Sequence, residues 1–89
     1  MAAYRILFKR SAVAELEKIP RRDLGRIVAK VRSLGENPRP EGCQKLSAQE
    51  RYRIRQGDFR IVYAIMDEER TIVIFKIGHR SDVYRQRAN

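Results

Sequence analysis

Arginine recurs at every second position of one short stretch, a pattern that could hold phosphate. Arg51, Arg53 and Arg55 alternate with uncharged residues, and Arg60 follows after the turn-forming pair Gly57-Asp58. A guanidinium can donate two parallel hydrogen bonds to a phosphate, and it stays charged at any physiological pH. The spacing therefore indicates a surface that binds a polyanion and could stabilise negative charge on a reacting phosphate.

The turn also predicts which of these side chains face each other. If Gly57 and Asp58 form the loop of a β-hairpin, Arg55 lies directly opposite Arg60 on the next strand. Like charges in opposed positions destabilise a sheet by up to about 1 kcal/mol. A bound phosphate would offset that repulsion. The plainer alternative is a solvated basic face that discourages edge-to-edge pairing.

A second group with chemical potential follows the last predicted strand. His79 is the one side chain that titrates near neutral pH without perturbation, and Arg80 comes directly after it. Tyr84 lies four residues beyond Arg80, so the two would share a face of a helix. The alternatives are structural: a lone histidine is more often structural than catalytic, and Tyr84 could simply dock on the core.

Composition narrows the classes of protein to be considered. The chain has 89 residues and a formal net charge of +9, and 15 of its 20 basic residues are arginine. One cysteine and one histidine exclude a disulfide scaffold and a Cys/His metal cage. No signal peptide, membrane span or Gly-rich phosphate loop is recognisable. We therefore expect one cytoplasmic domain over residues 1–89 that binds nucleic acid, with no metal, cofactor or membrane contact.

The first half of the chain predicts one strand and two helices. Tyr4–Phe8 is typical of a short strand, and Ser11 could cap a helix that Pro20 ends. Arg22–Leu34 has the apolar spacing of an amphipathic helix, and Gly35 is placed to close it. The short connection at Pro20 predicts that the two helices form a hairpin.

The second half predicts an antiparallel β meander with strands Arg51–Gln56, Phe59–Met66 and Thr71–Ile77. A turn at Asp67-Glu68-Glu69 separates the last two strands, Gly78 breaks the third, and Ser81–Asn89 is expected to be a short helix. The predicted fold class is thus α+β. One face of the first hairpin would pack against the helices through Tyr52, Ile54, Phe59, Ile61, Tyr63 and Ile65.

The stretches Tyr52–Tyr63 and Ile77–Tyr84, together with Leu46, resemble the RelE branch of the RelE/ParE toxin superfamily. The preceding strand and helical hairpin are in the matching order, so the resemblance covers nearly the whole chain. The ending Gly78-His79-Arg80 with Val83-Tyr84 is more similar to RelE than to the gyrase-directed ParE branch.

The resemblance implies the microbial RNase fold of the RelE/ParE superfamily and the toxin of a type II toxin–antitoxin system. Toxins of the RelE branch cleave mRNA in the ribosomal A site and so inhibit translation. They need no metal, because the 2′-hydroxyl of the substrate attacks the adjacent phosphate and leaves a cyclic phosphate. The implied partners are mRNA, the ribosome and a RelB-like antitoxin.

The resemblance also implies roles for individual residues. The residues that would bind mRNA and stabilise the pentacovalent phosphate are Arg53, Arg55, Arg60 and Arg80. Tyr84 would orient or deprotonate the 2′-hydroxyl, or stack on a base. Catalysis is thus expected from Arg55, Arg60, Arg80 and Tyr84, and the predicted RNA-binding set further includes Arg51 and His79.

One departure from the family pattern concerns proton transfer. Some RelE proteins have lysine where this chain has Arg53 and Arg55. Because the pKa of a guanidinium lies far above physiological pH, arginine does not readily release a proton, so Arg55 suits an electrostatic clamp better than a general acid. His79 is the candidate, on its chemistry, for protonating the leaving 5′-oxygen, and certain relatives do use a histidine.

Two other functions remain open from the sequence. A ParE-like toxin would inhibit DNA gyrase by protein binding, and its arginines would need no catalytic arrangement. An RNA-binding module without catalysis would depend on the charge of Arg60 but not on the hydroxyl of Tyr84.

Overall fold

In the computed structural model, residues 3–46 and 50–79 are described. Their elements, in chain order, are β1 (Arg5–Phe8), α1 (Arg10–Leu16), α2 (Arg21–Glu36), β2 (Gln44–Leu46), β3 (Arg51–Gln56), β4 (Phe59–Met66) and β5 (Thr71–His79). A single 3-10 turn, Asp67–Glu69, joins β4 to β5, as predicted for this acidic segment. The α+β class is confirmed, whereas the predicted helix Ser81–Asn89 lies outside the described residues.

The five strands form one mixed sheet in the order β1-β5-β4-β3-β2. The meander β3-β4-β5 is antiparallel, as expected, and β1 pairs with β5 in parallel. Sequence reasoning missed β2, a three-residue strand on the outer edge of β3. Such a short strand has no periodicity of its own, because its pairing with β3 defines it.

The start of α1 differs from the prediction. Ser11 lies inside the helix, and Lys9 occupies the cap position without a side-chain hydrogen bond. The amide of Lys9 donates to the carbonyl of Ile74 at 2.9 Å, while its own carbonyl accepts from the amides of Ala12 and Val13. The residue that pairs with β5 is followed directly by the helix, so the serine falls inside the first turn and not at the cap position.

Gly35 also has a different role from the one predicted. It lies within α2, which ends at Glu36, and it is buried. Its carbonyl accepts a hydrogen bond from the amide of Tyr4 at 2.8 Å, and a Cβ at this position would lie 3.1 Å from the carbonyl oxygen of Tyr4. This glycine therefore permits close approach of the chain entering β1, rather than ending the helix.

The helices cover one face of the sheet and bury its apolar side chains. The core consists of Ala12, Ile27, Val31, Leu34, Ile54, Ile61, Tyr63, Ile72, Ile74 and Ile77. Tyr52, Phe59 and Ile65 pack against it, so the predicted core face of the first hairpin is confirmed. The opposite face of the sheet is called the basic face below.

The last strand is longer than predicted. Gly78 does not break it: Gly78 pairs with Arg60 and His79 pairs with Phe59 on β4. A β-bulge lies earlier in the strand, where Phe75 has no partner on β4. The bulge resets the alternation, so that Ile74 and Ile77 both reach the core.

Among the described residues, no helix combines the length and the apolar character needed to cross a membrane.

Candidate nucleic-acid interface

The basic face carries several cations, of which Lys76 is paired with Glu15 of α1. The strand register places on it Arg5 and Leu7 from β1, Gln44 and Leu46 from β2, Arg51, Arg53 and Arg55 from β3, Arg60, Val62, Ala64 and Met66 from β4, and Thr71, Val73, Lys76 and Gly78 from β5. Phe75, which has no register partner on β4, joins this face through its contact with Arg51. No aspartate or glutamate is in this set. Its field therefore favours an anionic ligand.

Three residues form a row across the centre of this face. Arg55 pairs with Arg60 across β3 and β4, as the hairpin turn predicts, and Arg60 pairs with Gly78 across β4 and β5. Gly78 contributes no side chain to this row. Arg55 is exposed, so its guanidinium is accessible to a ligand.

Arg60 is buried although it carries a charge, with 6% of its surface exposed. Its Nη1 donates to the carbonyl oxygens of Phe59 and Gly57 at 3.1 and 3.3 Å. Its Nε is buried and, within the described part of the chain, has no hydrogen-bond partner. A buried cation is costly unless it is paired and hydrogen-bonded. The hydrogen bonds of the described residues therefore compensate the burial of this guanidinium only in part.

Arg53 is oriented by the strand that sequence reasoning missed. Its Nη2 donates to the side-chain oxygen of Gln44, its register partner on β2. Arg53 is half-buried on the same face as Arg55 and Arg60. The structure thus brings three of the predicted RNA-binding arginines together.

Arg51 lies on the same face and contacts an aromatic ring. Its Cζ is 3.7 Å from the ring centroid of Phe75, and the Nζ of Lys9 is 5.2 Å from that centroid. Phe75 was not among the predicted site residues. The signal for it was the break in alternation between Ile74 and Ile77, which marks a bulge.

His79 is separated from this group. Its ring meets Phe59 edge-on, with centroids 5.9 Å apart and planes at 79°. Phe59 packs against the core, so His79 lies on the helix-covered side of the sheet, at its exposed end. The structure does not bring His79 together with Arg55 and Arg60. Arg80 and Tyr84, two of the predicted catalytic residues, lie outside the described residues.

A carboxylate on α1 holds the end of β5 that carries Gly78. The Oε1 of Glu15 accepts a hydrogen bond from the amide of Ile77 at 2.8 Å, and its Oε2 pairs with the Nζ of Lys76 at 2.8 Å. The Lys76 and Glu15 side chains are 22% and 24% exposed. β1 pairs with β5 only as far as Ile74. Beyond that point Glu15, instead of a neighbouring strand, accepts a hydrogen bond from the backbone of β5.

A second polar cluster fixes the loop between α2 and β2 against the sheet. Arg39 donates to both carboxylate oxygens of Asp67, at 2.9 and 3.3 Å, and the hydroxyl of Tyr4 donates to Asp67 at 2.7 Å. The guanidinium also lies over the ring of Tyr52. Hydrogen bonds from Arg39 and then Tyr4 lower the pKa of Asp67 below its usual value.

A cleft of about 290 Å³ lies at the edge of the sheet beside Arg55. It is lined by Lys30, Glu41, Gly42, Gln44, Ile54 and Arg55. Lys30 is on α2 and Arg55 is on β3, so this cleft links the helix surface to the basic face. Among residues 3–46 and 50–79, no three His, Cys, Asp or Glu side chains are grouped as metal ligands.

The sequence matches a protein family over residues 6–84, and that family is described as the ParE toxin of type II toxin–antitoxin systems. Among individual proteins, it is 32% identical over 91 residues to toxin RelG of Mycobacterium tuberculosis. That match covers 93% of this chain and 98% of the relative.

The fold is similar to those of solved toxin–antitoxin complexes. One is the RelBE2 complex of Mycobacterium tuberculosis, with a TM-score of 0.80 and 30% identity, covering 92% of this chain and 97% of that one. Another is the archaeal RelE-RelB complex of Pyrococcus horikoshii, with a TM-score of 0.79 and 26% identity, covering 88% and 96%. A third is the intact Escherichia coli RelBE complex, with a TM-score of 0.77 and 26% identity, covering 86% and 96%.

Proposed function

The chain belongs to the ParE toxin family of type II toxin–antitoxin systems, and from this membership and its basic face we propose that it is a RelE-like endoribonuclease. Its substrate is mRNA in the A site of the ribosome, and the consequence of cleavage is inhibition of translation in the cytoplasm. The RelE names of its relatives and structural neighbours favour RNA as the target.

The observation that carries the proposal is the state of Arg60. It is buried, its Nε lacks an acceptor among the described residues, and it lies directly beside the exposed Arg55 on a face to which the described strands contribute no carboxylate. Two opposed guanidiniums repel each other unless an anion lies between them. A phosphodiester bound across Arg55 and Arg60 would remove this repulsion.

The proposed reaction is an internal transfer within the RNA. The 2′-oxygen loses its proton and forms a bond to the adjacent phosphorus, the bond from phosphorus to the 5′-oxygen breaks, and that oxygen takes up a proton. The products are a 2′,3′-cyclic phosphate and a free 5′-hydroxyl. Charge builds up on the phosphoryl oxygens in the transition state, and the proposal assigns its stabilisation to Arg53, Arg55 and Arg60, which share one face of the sheet.

The remaining roles come from the family resemblance. Arg80 would add a further cation at the phosphate, and Tyr84 would orient or deprotonate the 2′-hydroxyl or stack on a base. His79 was the candidate acid by chemistry, but it lies on the helix-covered side, so we leave it out of the proton-transfer step. We retain it as an RNA contact at the rim of the sheet.

The proposed protein partner is a RelB-like antitoxin, since the structural neighbours include RelB–RelE complexes. A surface with several arginines, to which the described strands add no carboxylate, calls for an acidic or amphipathic segment to neutralise it. Such a segment would inhibit the toxin by covering the arginines of β3 and β4 or by displacing the C-terminal segment.

The name of the matching family supports one alternative, a ParE-like toxin that inhibits DNA gyrase. In that case the arginines would act in protein binding, and neutralising one of them would weaken gyrase inhibition without any effect on RNA.

A translation extract supplied with the purified protein tests the proposal. We expect primer extension to find new mRNA ends inside codons only when ribosomes are present, with the ends lost in Arg55→Ala and kept in Arg32→Ala. Arg32 provides a matched control because it is an exposed arginine on α2. Intact mRNA, together with linearised plasmid in a gyrase reaction, would instead support the ParE-like alternative.

A further inference from the structure

The β-bulge in β5 brings an aromatic side chain onto the basic face. Val62 pairs with Lys76 and Tyr63 pairs with Ile74, so Phe75 is the extra residue of the bulge. Bulges re-aim side chains, and here the ring leaves the apolar alternation of β5 and meets cations instead. Phe75 is only half-buried, so part of its side chain remains accessible.

Arg51 crosses the neighbouring strand to reach this ring. Arg51 is on β3 and Phe75 is on β5, with β4 between them. The side chain ends with its Cζ 3.7 Å from the centroid of Phe75, at van der Waals contact with the ring. A cation whose only role is to hold phosphate would extend into solvent, whereas this guanidinium lies over an aromatic ring.

We propose that Arg51 and Phe75 form a stacking platform for one nucleobase of the bound RNA. The guanidinium plane and the aromatic ring are the two kinds of protein surface on which unpaired bases stack. Arg51 lies four residues from Arg55 along β3, or about 13 Å. The platform therefore holds a base a few nucleotides from the phosphate at Arg55 and Arg60, and it deepens the proposed function, on which it rests, by adding contact with a base.

The platform makes RNA binding depend on the presence of a base, which phosphate contacts alone do not do. Arginine–phosphate contacts are insensitive to the base, while a stacking platform requires one and favours bases with large aromatic faces. RNA lacking a single base should therefore bind more weakly when the gap falls at the platform.

Fluorescence anisotropy with a labelled single-stranded RNA octamer, in which each base is removed in turn, tests this. Stacking contributes about 1–3 kcal/mol per base, so removal of one base should weaken binding to the unaltered protein roughly tenfold at one position. Phe75→Leu should abolish this dependence. Phe8→Leu is the matched control: Phe8 is also a partly exposed aromatic on a strand, but its register partner is the core residue Ile74.

Arg51→Lys provides a second variant that does not alter the bulge. Lysine keeps the charge but not the flat guanidinium, so the salt dependence of binding should persist while the dependence on the base is lost. Equal binding of all base-deleted octamers by the unaltered protein, no RNA binding at all, or an unchanged base dependence in Phe75→Leu would each overturn the platform.

The outcomes also separate this inference from the proposed function. Base-dependent binding that is lost in Phe75→Leu, without mRNA cleavage on ribosomes, would retain the platform and reject the nuclease. Cleavage on ribosomes with the same site preference in Phe75→Leu and in the unaltered protein would retain the nuclease and reject the platform.

Discussion

Replacing the buried arginine of the basic face should stabilise the protein while it abolishes cleavage. In Arg60→Met, the side chain keeps an unbranched stem as far as the position of Nε but loses a charge that is 6% exposed and an Nε without an acceptor among the described residues. Removing an unsatisfied buried donor raises the free energy of unfolding by about 1–3 kcal/mol. The hydrogen bonds from its Nη1 to Phe59 and Gly57 are lost at the same time. Their loss lowers the free energy of unfolding by about 1 kcal/mol, counted once because both bonds come from one nitrogen.

The net expectation is that the free energy of unfolding rises by about 1 kcal/mol. With an m-value of roughly 1 kcal/mol/M for a small domain in urea, the unfolding midpoint moves up by about 1 M. Loss of one group that stabilises transition-state charge should lower the cleavage rate by about 10²- to 10³-fold. Urea unfolding followed by circular dichroism and ribosome-dependent cleavage of mRNA measure the two effects on the same preparation.

Arg32→Met is the control, since this exposed arginine of α2 should change neither quantity. A loss of more than about 2 kcal/mol in Arg60→Met would mean that the guanidinium is a structural cation that supports the hairpin turn. Cleavage at the unaltered rate would remove Arg60 from the reaction. Either result would refute the argument that its burial serves an anionic ligand.

Three further variants test other parts of the structure. Glu15→Ala should lower the free energy of unfolding by about 2–3 kcal/mol, because Lys76 would be left partly buried and unpaired; unfolding within 0.5 kcal/mol of the unaltered protein would contradict this. Arg39 lowers the pKa of Asp67 in the folded state, so the ionised carboxylate stabilises the protein above pH about 4 and this contribution is lost as pH falls further. Asp67→Asn should remove this contribution. Identical acid unfolding curves for the variant and the unaltered protein would exclude it. His79→Gln should leave the cleavage rate unchanged between about pH 5.5 and 8, because the ring is on the helix-covered side. Loss of one limb of the pH profile would instead restore it as the proton donor.

Local patterns in the sequence were sufficient for much of the fold. The pair Gly57-Asp58 predicts the hairpin register, and the observed pairing of Arg55 with Arg60 follows from it. The apolar spacing of the second helix predicts the face that packs on the sheet, because a period near 3.6 residues permits no other arrangement.

Features that depend on distant parts of the chain could not be predicted. The parallel pairing of β1 with β5, and the burial of Gly35 against Tyr4, arise only when segments far apart in sequence meet. The separation of His79 from Arg60 was also not predicted, because the predicted strand ended before Gly78. Once the strand continues, neighbouring residues alternate between faces, and His79 lies on the side opposite to Arg60.

The chemical state of the new RNA ends is the most direct test of the central claim, that the arginines of one sheet face stabilise attack by a 2′-hydroxyl on its own phosphate. Purified ribosomes carrying a defined mRNA are incubated with the protein, and the 3′ end of the upstream fragment is analysed. We expect a 2′,3′-cyclic phosphate with the unaltered protein, and no fragment with Arg55→Ala or Arg60→Met. Intact mRNA, a 3′-hydroxyl end, or unchanged cleavage by both variants would contradict the account.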